Sequence, residues 1–90
     1  MTTTLRLTEF DAAGTPVRLG EFAIARPPSG APFIGRVVRV DSTPVGIEVS
    51  LVVLSRLNGA PHPKRGSSRV LFADRVSGAD QERCRRLAHA

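Results

Sequence analysis

Apolar and polar residues alternate with a period of two along most of this chain, most plainly between Phe33 and Leu54. Phe33 to Val40 and Val45 to Leu54 read as two valine-rich strands joined at Asp41-Ser42-Thr43-Pro44. Val45, Ile47, Val49, Leu51 and Val53 share one face, while Val52 and Leu54 add apolar character to the other, as in a central strand or one buried at its far end. Upstream, Leu5 and Leu7 alternate with Arg6 and Thr8, which predicts a strand from Thr3 to Phe10. Asp11-Ala12-Ala13-Gly14 supplies a turn, and Thr15-Pro16 begins the return. Val17 and Leu19 then have one parity and Phe22 and Ile24 the other, so a β-bulge at Gly20 is expected to bring all four to the core.

The three prolines of Arg26-Pro27-Pro28-Ser29-Gly30-Ala31-Pro32 preclude a regular ladder and predict a stiff extended connection between sheets. Asn58 to Ser68, with two prolines and two glycines, is longer than a minimal hairpin needs. Val70, Phe72 and Val76 alternate with Leu71, Ala73 and Arg75 in a fifth strand. Ser77, with Asp80 three residues on, fits the start of a helix over residues 78–89, whose apolar stripe is Cys84, Leu87 and Ala88. The expected fold is therefore mainly β, a β-barrel-like or curled antiparallel sheet of about five strands with one C-terminal α-helix plugging an end or covering an edge.

Ninety residues make a single small domain, 1–90, which buries roughly 60 to 65% of its unfolded surface and leaves little room for a deep active site. Cys84 is the single cysteine, so no internal disulfide or thiolate zinc cluster forms. The N-terminus lacks a basic region followed by an apolar run, and the longest apolar run, Leu51 to Leu54, is too short for a bilayer. These features predict a cytoplasmic protein with no membrane association. Four Phe, with no Tyr or Trp, disfavour recognition of single strands by base stacking.

The net charge of +5 is unevenly placed, because residues 56–90 hold eight basic side chains against three acidic ones. Such asymmetry fits a polyanionic partner. A GC-rich genome, bacterial or phage, also yields twelve Arg to one Lys on any surface.

Catalytic chemistry finds no constellation. His62 lies between two prolines, His89 is penultimate, Ser67 and Ser68 have no base nearby in sequence, and Cys84 falls on an apolar stripe. No enzyme activity, metal or cofactor is expected. The basic surface loop, residues 56–69, is the best candidate site. Lys64, Arg65, Ser67 and Arg69 offer guanidinium forks, a hydroxyl and glycine-freed backbone amides to phosphate oxygens, and Arg83 and Arg86 on the helix extend the patch. Arg36 and Arg39 flank Val37-Val38, so one is forced to the apolar parity unless a bulge at Gly35 resets it. An ion pair with Glu48 across the hairpin is expected there.

Gly35-Arg36-Val37-Val38-Arg39-Val40 followed by Val45-Gly46-Ile47-Glu48-Val49 resembles the closing hairpin of PilZ-type barrels. Val70-Leu71-Phe72 followed by Asp80-Gln81-Glu82-Arg83 and Arg86-Leu87 resembles the last strand and helix of the same family. PilZ domains that bind cyclic di-GMP carry Arg-x-x-x-Arg near their start and an Asp/Asn-x-Ser-x-x-Gly turn after it. Here Arg65 and Arg69 have the spacing but come late, and Asp41-x-Thr43-x-x-Gly46 has threonine for serine and comes first. The resemblance implies a PilZ-like barrel and does not carry the ligand over.

Together these readings point to a non-catalytic binding module contacting nucleic-acid phosphates through the basic loop and C-terminal helix. The competing expectation is a protein-interaction or structural subunit of a larger phage or multiprotein assembly, docking on a partner or a second copy of itself.

Overall fold

A computed structural model describes residues 4–89. Its elements run β1 (Leu5–Leu7), β2 (Glu9–Ala12), β3 (Thr15–Arg18), β4 (Phe22–Ala25), β5 (Phe33–Thr43), β6 (Gly46–Arg56), β7 (Ser68–Phe72), a 3-10 turn (Ala73–Arg75), β8 (Val76–Gly78) and α1 (Gln81–Ala88). Six strands form an antiparallel sheet in the order β7-β6-β5-β4-β8, and β1 also pairs with β5. β6 occupies one edge of β5 along its whole length, so β4, opposite Phe33–Arg36, and β1, opposite Val40–Ser42, share the other edge. β2 and β3 form a separate hairpin. Of the two forms expected, the open antiparallel sheet is observed; among the described residues the ladder does not close into a barrel.

The two faces of the sheet are covered by different elements. On one, Val37, Val40, Val49, Leu51 and Leu71 pack with Phe10, Ala12 and Val17 of the β2–β3 hairpin. On the other, Phe22, Ile34 and Leu54 pack with Cys84, Leu87 and Ala88 of α1. Both faces are thus apolar at the β4 end, which accounts for the three consecutive buried residues Val53, Leu54 and Ser55. A register shift between Ile34 and Gly35 places Leu54 as the extra residue of β6 and lets neighbouring side chains serve both layers.

Several boundaries differ from expectation. Thr3 of the predicted first strand lies outside the described residues. The expected bulge at Gly20 is a turn: Gly20 has φ +89°, Glu21 N donates to Arg18 O at 3.0 Å, and the Glu21 side chain accepts from Arg18 N at 2.7 Å. The parity slip therefore marks a change of sheet. Val17 enters the first core, Phe22 the second, and Leu19 stays 44% exposed. Asp41 and Ser42 continue β5 because β1 pairs with them, and the reversal falls at Pro44-Val45. There Thr43 Oγ1 donates to Gly46 O at 2.8 Å.

The predicted fifth strand is broken by the 3-10 turn, which carries the chain from β7 at one end of the sheet path to β8 at the other. Ser77 belongs to β8, opposite Ile24, and does not cap the helix. Asp80 does so, accepting from Arg83 N at 3.2 Å, which shortens the expected 78–89 helix to Gln81–Ala88. Among the described residues no helix is long and apolar enough to cross a membrane.

Candidate nucleic-acid interface

The connection between β6 and β7 spans residues 57–67, slightly less than the 56–69 expected, because Arg56 ends one strand and Ser68 begins the next. It is two tight turns. In the first, Gly59 at φ +87° donates to Arg56 O at 2.9 Å, and Asn58 Oδ1 accepts from Ala60 N at 2.9 Å. In the second, Arg65 N donates to His62 O at 3.1 Å and Ser67 N to Lys64 O at 3.0 Å. Lys64 N donates to His62 Nδ1 at 3.0 Å, and Gly66 N donates to Val53 O at 2.8 Å.

The backbone amides of residues 64–67 therefore all have acceptors within the chain. A bound anion would be held here by side chains, contrary to the expectation that glycine frees backbone donors. Ser67 is similarly engaged, its hydroxyl donating to Lys64 O at 2.6 Å. His62 packs edge-on against Phe33, with centroids 6.1 Å apart.

Two guanidinium groups join this loop to α1. Arg83 Nη2 donates to Leu57 O at 3.1 Å, and Arg65 Nη2 reaches Ala88 O at 3.4 Å. Leu87 packs over Gly59, whose missing side chain makes room: an added Cβ would lie 3.2 Å from Leu87 Cδ2. Loop and helix are thus joined into one surface. Arg56, Lys64, Arg65, Arg83, Arg85 and Arg86 are exposed there. The ion pairs among the described residues involve Arg6, Arg18 and Arg39 alone, so none of these six cations is neutralised by a neighbouring carboxylate.

Arg69 departs from the group. Its register opposite Leu51 turns it to the face carrying Val37 and Leu51, where its guanidinium carbon lies 5.9 Å from the Phe33 ring centroid. Ser68, opposite Val52, points to the other face together with Arg36.

Arg36, absent from the predicted site, is the residue that sequence reasoning missed. A second register shift, between Val37 and Arg39, makes Val38 the extra residue, so both Arg36 and Arg39 reach solvent. Neither pairs with Glu48 as expected: Arg39 Nε donates to Asp41 Oδ2 at 2.7 Å, and Arg36 lies 5.0 Å above the Phe22 ring. The local signal was Asp41 two residues beyond Arg39 on the same strand face. Arg36 and Arg65 together line a groove of about 370 Å³ floored by Phe22, Val38, Val52 and Leu54.

Cys84 is 1% exposed beneath the helix. Burial pushes its thiol above the ordinary range; Arg83 opposes the rise and Asp80 adds to it. No group of three or more His, Cys, Asp or Glu side chains among the described residues is arranged to hold a metal ion. No protein-family model matches the chain, and neither does any curated protein or solved structure.

Proposed function

We propose that this chain is a non-catalytic module that binds nucleic-acid phosphates at the surface built from the β6–β7 loop and α1. The observation that carries this reading is the joining of loop and helix by Arg65 and Arg83 beside exposed cations without carboxylate partners. Lys64, Arg65, Arg83 and Arg86 supply the contacts. Arg36 extends the surface along the groove, while Ser67 and Arg69 have a smaller part because they are engaged inside the chain. With loop amides occupied and no aromatic platform, the contact is made by long side chains, is largely indifferent to base sequence, and responds to ionic strength.

Fluorescence anisotropy of labelled single- and double-stranded DNA and RNA across a salt series tests this. Each phosphate contact contributes about 0.9 to the log-log slope on duplex DNA. Lys64→Ala combined with Arg65→Ala is expected to lower that slope by about 1.8 while leaving the circular dichroism unchanged. An unchanged slope in the double variant removes the loop from the interface. No binding at low salt defeats the reading altogether and favours the alternative, a protein-docking subunit whose apolar contacts depend little on salt.

A further inference from the structure

We infer that the outer edge of β7 is a self-association surface, where a second copy of this chain adds its own β7 in antiparallel register. This inference rests on the edge of β7 and not on phosphate binding, although Lys64 and Arg65 border both surfaces. β7 ends the sheet path, and among the described residues no strand pairs with its outer edge. The ladder fixes which groups point outward. Val53 N donates to Ser67 O, so Arg69 and Leu71 direct their backbone groups to β6, and alternation directs those of Ser68, Val70 and Phe72 away from it.

Val70 and Phe72 are 58% and 48% exposed on the same face of the strand. The strand contains no lysine, proline or bulge of the kind that guards exposed edges, and its one charged side chain, Arg69, turns away toward Phe33. A groove of about 470 Å³ borders the edge, lined by Pro28, Val70, Leu71 and Phe72 with Glu48 and Asp74.

The occupant follows from the pattern along β7. The strand is preceded by Lys64 and Arg65, while Glu48, opposite Phe72, and Asp74 lie at its far end beside Arg75. An antiparallel copy brings Asp74 of each toward the Lys64–Arg65 end of the other, twice by symmetry, while Glu48 stays behind Phe72 on β6. With the two-fold axis at Leu71, Val70 of each copy faces Phe72 of the other. The outward backbone groups of both residues find partners, and the exposed apolar side chains cover one another. Only Val70, Leu71 and Phe72 of each strand overlap, because the 3-10 turn begins at Ala73; a pairing of three residues is far smaller than a standard interface, so a weak dimer is expected.

Sedimentation velocity from tens of micromolar to about 1 mM, on protein freed of nucleic acid, tests this. The expected result is a monomer–dimer equilibrium lost in both Val70→Pro and Phe72→Lys. Val70 directs its N–H away from β6, so proline there leaves the internal ladder whole. Phe72→Lys keeps the test decisive if the proline variant fails to fold. A wild type that stays monomeric throughout, or a Phe72→Lys protein that dimerises like wild type, overturns the inference.

Discussion

Gly35 lies beside the irregularity where Leu54 is extra in β6, and its role there is steric. A Cβ at this position would sit 3.0 Å from Val52 O, 3.2 Å from Leu51 Cβ and 3.3 Å from Phe33 Cε2, all three fixed by the ladder or the core. Gly35→Ala is expected to destabilise the fold by about 1–3 kcal/mol, read as a lower urea midpoint at unchanged slope. A midpoint equal to wild type would mean that β6 yields at Val52. Cys84 makes a second prediction at this scale. Because its folded pKa is raised, its contribution to stability is complete below the ordinary thiol pKa of about 8.5 and is lost as pH rises through the folded value. Native protein should resist thiol reagents at neutral pH, and the decline in stability at alkaline pH should be smaller in Cys84→Ala. Burial of Cys84 was legible from its place on an apolar stripe. The exposure of both Arg36 and Arg39 was not, because it depends on an extra residue at Val38 that period-two counting does not locate.

At the level of elements, α1 is attached by a side chain that behaves like a strand rung. Gln81 Oε1 accepts from Phe22 N at 2.7 Å, and its Nε2 donates to Phe22 O at 2.7 Å and to Ala79 O at 3.0 Å. Gln81→Ala strips both backbone groups of Phe22 of these partners and is expected to cost about 1–3 kcal/mol, more than the ~1 kcal/mol of the cap lost in Asp80→Ala. Denaturant unfolding of the two variants side by side checks the order. The strands of the central hairpin and the helix were legible because each has a sustained period. The division at Gly20 was visible only as a parity slip, and bulge and sheet change produce the same slip in one dimension. The break between β7 and β8 left a weaker mark: Asp74 interrupts the apolar parity of Val70, Phe72 and Val76, which a single exposed strand position would equally produce, and β8 leaves β7 to pair with β4.

Over the whole molecule, 44 × 25 × 20 Å in extent, Arg65 and Arg83 join the β6–β7 loop to α1 and so bring Lys64, Arg65, Arg83 and Arg86 onto adjoining elements, while Arg69 turns to the other face of the sheet. Charge asymmetry along the chain located the basic segment, residues 56–90, but not which arginines spend their guanidinium groups on carbonyls or turn, as Arg69 does, to another face. The two cores also differ in how their covers are held. α1 is fastened by hydrogen bonds from Gln81, Arg65 and Arg83, whereas the β2–β3 hairpin lies outside the main ladder and depends on Phe10, Ala12 and Val17. Attachment through apolar surface weakens on cooling, while a hydrogen-bonded ladder does not share that temperature dependence. Near 0 °C the hairpin should therefore loosen ahead of the sheet it covers. Amide exchange at Val40 and Val49 would then stay slow while Phe10 and Val17 lose protection, making the cold response of this fold a local opening of one layer.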